Sequence, residues 1–132
     1  YKRQMQALQK NAYDDGVIWL SIISSAPGKQ GHVSAAEADK LTMKRGARPH
    51  AVLLDEQGSV GRLYEVSVTP QMYVIDAKGF LVFAGAIDDQ PSHRKQTVAK
   101  AHNYVQAALD DLAAGRDVQA SLKRPYGCSV KY

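Results

Sequence analysis

The stretch "VTPQMYVIDAKGFLVFAGAIDD", Val68 to Asp89, decides how the rest of this chain is read. It parses as a Thr-Pro step, a strand, a tight turn, a second strand and an acidic loop. Asp76-Ala77-Lys78-Gly79 puts glycine where a type I turn followed by a bulge needs positive φ, which predicts a hairpin. Pro70 opens the first strand. A proline cannot donate to a ladder, so it belongs at an edge, a bulge or a strand's first position. Local residues alone favour a trans Thr69-Pro70 bond, because only about 5% of X-Pro bonds in folded proteins are cis.

Working outward, "VIWLSII" (Val17 to Ile23) is a continuous apolar, β-branched run of the kind covered on both faces in parallel sheets. "AVLLD" (Ala51 to Asp55) reads as a second buried strand, closed by a turn at Gly58. Between them, Ser24 to His32 is a polar Gly/Pro loop, and Ser34 with Glu37 forms a capping-box signature for a helix to about Gly46. Ahead of them, Tyr1, Met5, Leu8 and Ala12 recur at helical spacing until Asp14-Asp15-Gly16 stops the helix. Ser59 to Val66 reads as a short helix with Val60, Leu63 and Tyr64 facing inward. Downstream, a basic stretch at His93 to Lys95 leads into a helix. Val98, Ala101, Val105, Ala108, Leu109 and Leu112 form its apolar face, and Gly115 stops it.

This order of elements predicts one domain over residues 1–132, an α/β three-layer sandwich with a mixed sheet. Residues 116–132 lack periodicity until their last few positions and read as a C-terminal extension. A sandwich seldom begins with a helix, since the first helix normally crosses over from a strand.

Composition narrows the function. The 132 residues are 45% apolar and 23% charged, the usual profile of a soluble globular chain. No apolar run reaches the roughly 20 residues that span a bilayer, so no membrane partner is expected. The net charge of +4 comes from scattered basic residues without an aromatic-plus-arginine motif, which argues against nucleic acid. Cys128 is the one cysteine, so no disulfide closes within these residues. The four histidines, His32, His50, His93 and His102, lack metal-ligand spacing, so neither metal nor cofactor is expected. Gly28-Lys29 does not satisfy the phosphate-loop pattern. Asp88 and Asp89 could pair for acid/base work, but a solvated loop cap is the simpler reading. Cys128 is either an inert thiol or a reactive one, with Arg124 and Lys131 near enough in sequence to matter.

Four segments then carry a family resemblance: "VSVTPQMYVIDAKGFLVFAGAIDD", "GVIWLSIISSAPGKQGHVSAAEA", "AVLLDEQGSVGRLYEV" and "RPYGCSVKY". The first resembles the pattern T-P-x-x-F-V-I-D-x-x-G-x-L-x-Y-x-G-x-I-D-D of thioredoxin-like redoxins in the alkyl hydroperoxide reductase/thiol-specific antioxidant superfamily. The others are similar to one bacterial branch of it. The resemblance implies a thioredoxin-like sandwich and a cis Thr69-Pro70 bond, with Val68, Thr69 and Pro70 forming the wall on which a disulfide or peptide docks. It also implies that the nucleophilic cysteine and its strand lie upstream of Tyr1, leaving this chain N-terminally incomplete. Cys128 matches the family's C-terminal "GCS" and is implied as a resolving or regulatory thiol. The strands Val17–Ile23 and Gln71–Asp76 are then expected not to pair directly, because another strand separates them.

The expected function is thiol:disulfide exchange, with a protein or small-molecule disulfide as substrate and a thiol reductant as partner. Alternatives are a peroxide-reducing thiol peroxidase and a non-catalytic peptide-binding module. One thiol cannot cycle through an intramolecular disulfide, so these residues alone are expected to show no dithiol-dependent reductase turnover. The bacterial branch commonly carries secretory signals, which points to a periplasmic location.

Overall fold

The computed structural model describes residues 2–91, 100–119 and 121–132. Val98 and the basic stretch His93 to Lys95 lie outside the described residues. The chain divides into two compact units, one of Tyr1–Val66 with Val130–Tyr132 and one of Ser67–Ser129.

In the first unit, α1 (Lys2–Asp14) buries Leu8 and Ala12, and the chain leaves it through a turn closed by Gly16. β1 (Leu20–Ile23) pairs in parallel with β2 (Ala51–Leu54), with Leu20 opposite Ala51 and Ile22 opposite Leu53. Between them runs α2 (Ala35–Arg45). The expected capping box is formed: Ser34 Oγ accepts the Glu37 N–H, and the Glu37 carboxylate accepts the Ser34 N–H at 2.8 Å. Gly46 ends the helix in the left-handed conformation.

Two expectations about burial are corrected here. β1 and β2 are not covered on both faces. Ser21, Ile23 and Val52 line a cavity of about 190 Å³ together with Ala38 and Leu41 of α2. The side-chain period of two turns Leu20, Ile22 and Leu53 to the other face, where they are 51%, 44% and 44% exposed. The short helix α3 (Ser59–Leu63) likewise turns Val60 and Leu63 outward. Its inward residue is Gly61, because the Tyr132 ring fills that space: a Cβ on Gly61 would sit 2.7 Å from the Tyr132 hydroxyl.

The second unit holds β3 (Val68–Thr69), β4 (Met72–Ile75), β5 (Leu81–Gly85), α4 (Tyr104–Ala113) and β6 (Cys128–Ser129). β4 and β5 form the expected antiparallel hairpin, with Val74 opposite Phe83 and a register shift between Val74 and Ile75. Asp76 Oδ1 accepts the Lys78 and Phe80 N–H groups, each at 2.9 Å, and Gly79 takes the positive φ of 90°. Among the described residues of this unit, Val74, Phe83, Ala86, Ile87, Val105 and Ala108 are buried and apolar. α4 starts later than the apolar periodicity implies. Asn103 accepts the Gln106 N–H and caps the helix, so Ala101 precedes it.

The fold is thus mixed α/β with short sheets. Its described ladders are three two-stranded pairs, β1–β2 parallel, β3–β6 antiparallel and β4–β5 antiparallel. β6 belongs to the segment read as an extension; that segment is divided, with Ser129 ending the second unit and Val130–Tyr132 belonging to the first.

Candidate functional site

The site candidates from sequence were Val68, Thr69, Pro70 and Cys128; β3 carries Val68 and Thr69 and pairs with β6, which carries Cys128, and Pro70 directly follows β3. The Thr69-Pro70 peptide is cis, as the family resemblance implied and the local reading did not. β3 is only two residues long, since Pro70 has no N–H to continue the ladder. Gln71 braces the segment: its Oε1 accepts the Ser67 N–H at 3.2 Å, and its amide donates to the Tyr73 hydroxyl at 2.7 Å.

The tail reaches β3 along a series of close contacts. The Ala84 N–H donates to the Ser121 carbonyl at 2.8 Å, and the Lys123 N–H donates to the Ala84 carbonyl at 3.0 Å. Gly85 permits this approach at φ 143°, because a Cβ there would lie 1.9 Å from the Lys123 carbonyl oxygen. Farther along, the Tyr126 hydroxyl donates to Asp88 Oδ1 and lies 3.1 Å from the Gln90 carbonyl oxygen. Gly127, at φ 152°, then closes on the wall: a Cβ there would sit 2.2 Å from the Thr69 carbonyl oxygen. The next residue is Cys128. It is the antiparallel partner of Thr69, and Ser129 is the partner of Val68.

Thr69 and Cys128 are both exposed, so the thiol and the backbone before the cis-proline share one accessible surface. This changes the expected use of the wall. The backbone of Val68 and Thr69 is paired with the chain's own cysteine-bearing strand.

Asp88 corrects another expectation. It is not a solvated cap but 1% exposed. Its Oδ1 accepts the Gln90 N–H at 2.8 Å as well as the Tyr126 hydroxyl, while Oδ2 is buried without a hydrogen-bond partner among the described residues. Asp89 is the exposed one, and its Oδ1 accepts the His102 N–H at 2.9 Å. The two carboxylates therefore occupy different environments and do not form an acid/base pair. Sequence reasoning missed Asp88, Tyr126, Gly85 and Gly127 as parts of one assembly. Small residues flanking the strand, in "AGAI", and glycine directly before the cysteine were the available signals of close backbone approach.

In the first unit, polar groups gather around Asp55. Its Oδ2 accepts the Ser24 hydroxyl and the Gly61 N–H, both at 2.8 Å. Burial pushes this carboxyl up, but hydrogen bonds from Gly61, Ser24, Val60 and Ser59 outweigh it and hold it below the ordinary aspartate value. These bonds tie the strand end to α3, a structural task. His50 accepts the Trp19 N–H at 3.0 Å, and His32 pairs with Glu56 at 2.8 Å. Among the described residues, no three His, Cys, Asp or Glu side chains converge as a metal site would require.

No known family profile matches the chain, and no curated protein matches it. Solved structures do resemble it. An uncharacterized conserved protein from Geobacillus kaustophilus is 26% identical, with a TM-score of 0.84 over 99% of this chain and 68% of that one. A hypothetical protein from Sinorhizobium meliloti 1021 is 21% identical, with a TM-score of 0.84 over 99% of this chain and 70% of that one. Neither carries a named activity, so the likeness concerns the fold.

Proposed function

We propose that this chain is a thioredoxin-like redoxin domain that takes part in thiol:disulfide exchange, with Cys128 as its resolving or regulatory thiol. Val68, Thr69 and Pro70 are the wall beside it. The observation that carries this reading is the register of β3 and β6, which sets an exposed thiol opposite Thr69. The short mixed α/β layout and the hairpin after Pro70 are compatible with a thioredoxin-like sandwich.

The chemistry is an exchange of sulfur partners. The Cys128 thiolate attacks one sulfur of a disulfide, a partner's mixed disulfide when it resolves and a free disulfide when it regulates. It bonds to that sulfur, while the other sulfur leaves as a thiolate and takes a proton from solvent. A second thiol then attacks the new disulfide and frees Cys128. Because Cys128 is the one cysteine of these 132 residues, that second thiol comes from outside them, from a partner or a thiol reductant. An oxidising, extracytoplasmic compartment suits such a cycle.

The test exposes the native chain to oxidised glutathione and, separately, to hydrogen peroxide, with mass spectrometry as the readout. One glutathione adduct per chain at Cys128, removed by added thiol and formed faster than sulfenic acid, is the expected result. Faster oxidation by peroxide would favour the thiol peroxidase. A Cys128 that reacts only after denaturation would remove the reading.

A further inference from the structure

We propose that Asp88, acting through Tyr126, is a positioning residue for Cys128, an inference that rests on the exchange reading above. Asp88 lies 40 positions before Cys128 and never touches it in any described contact. It reaches the thiol along the tail: the Asp88 carboxylate holds the Tyr126 hydroxyl, Gly127 seats against the Thr69 carbonyl, and Cys128 follows opposite Thr69.

Three observations set this apart from ordinary packing. The anchor is a carboxyl group buried to 1% exposure, and burying such a polar group is costly unless hydrogen bonds offset it. Among the described residues, Oδ1 is satisfied by the Tyr126 hydroxyl and the Gln90 N–H, and Oδ2 is enclosed without a partner. The buried Asp88 oxygen thus grips the Tyr126 hydroxyl. That grip falls where placement is most sensitive. β6 is a two-residue ladder, too short to fix the position of Cys128 by itself. Gly127 leaves no side chain that could wedge it in place. Tyr126 is therefore the last side-chain anchor before the thiol.

Positioning matters unequally for different reagents. Disulfide exchange needs the attacking sulfur in line with the bond that breaks, with the rest of the disulfide laid against Thr69 and Pro70. Alkylation by iodoacetamide needs little beyond access. In the exchange, the Cys128 thiolate bonds one sulfur of oxidised glutathione, the disulfide bond breaks, and reduced glutathione leaves after taking a proton from solvent.

The experiment measures both second-order rate constants at Cys128 in the full chain and in Tyr126→Phe, Asp88→Ala and Asp88→Asn. We expect Tyr126→Phe and Asp88→Ala to slow reaction with oxidised glutathione at least ten-fold, with the iodoacetamide rate unchanged or higher. Asp88→Asn keeps an oxygen acceptor and should recover to within about three-fold of the parent. Tyr126→Phe is conservative, so it decides the matter if Asp88→Ala does not fold. Rates for the two reagents that move together, or variants that match the parent, would overturn the inference alone. A parent Cys128 that does not exchange with oxidised glutathione would overturn the exchange reading as well.

Discussion

The hairpin β4–β5 and the ribbon β1–β2 are built from similar residues and end in different states. Both are two-stranded and rich in Val, Ile and Leu. In the hairpin, Val74 and Phe83 stand opposite each other and are buried, Phe83 completely. In the ribbon, Ile22 and Leu53 stand opposite each other and are nearly half exposed. The difference lies in what covers each face. Apolar composition gives a strand the means to be buried, but a second layer has to arrive to use it.

The largest expected effect sharpens this contrast. Phe83→Ala should cost about 3–5 kcal/mol in chemical denaturation, because it empties a fully enclosed site. Ile22→Thr and Leu53→Thr should each stay within about 0.5 kcal/mol, as substitutions on an uncovered face do. A loss of several kcal/mol at Leu53 would break the comparison.

The next effect concerns close approach of backbone. Gly127→Ala should destabilise by about 1–3 kcal/mol, since the new methyl meets the Thr69 carbonyl. The accompanying sign is faster amide hydrogen exchange at Val68, Thr69, Cys128 and Ser129. Unchanged protection there would show that the tail does not depend on that contact.

A smaller effect belongs to the first unit and appears only in acid. Asp55 is held below its ordinary value of 3.8 in the folded chain, so near that pH the unfolded chain binds more protons than the folded one. Its contribution is complete above that value and is lost as pH falls through the lower, folded-state value. Asp55→Asn should flatten the acid limb of a stability–pH curve without moving the neutral plateau's pH dependence. An unaltered acid limb would place the titrating group elsewhere.

These expectations also mark which features were legible from residues alone. The Asp76–Gly79 turn and the Ser34/Glu37 cap were, because every group involved lies within a few positions. The direction of α3 was not. Its inward residue is Gly61, because Tyr132 arrives from 71 positions away. The burial of Asp88 was hidden for the same reason, with its tyrosine 38 positions downstream. β3 and β6 are two residues each, too short to show any period, so pattern reading could not pair them. The family resemblance named Thr69 and Pro70 as a docking wall and Cys128 as a resolving or regulatory thiol, without joining them. The structure supplied the register that brings Thr69 and Cys128 together.

That register is the centre of the account, and one crosslinking measurement tests it directly. Directly opposed antiparallel residues have Cα atoms about 4.5–5.5 Å apart, within the range a disulfide spans. Thr69→Cys should therefore oxidise readily to a Thr69-position–Cys128 disulfide, read as the loss of both free thiols and about two mass units. Val68→Cys, whose side chain alternates to the other face, should keep its thiols under the same conditions. Two free thiols persisting in oxidised Thr69→Cys, or equal crosslinking in Val68→Cys, would contradict the placement of Cys128 against Thr69.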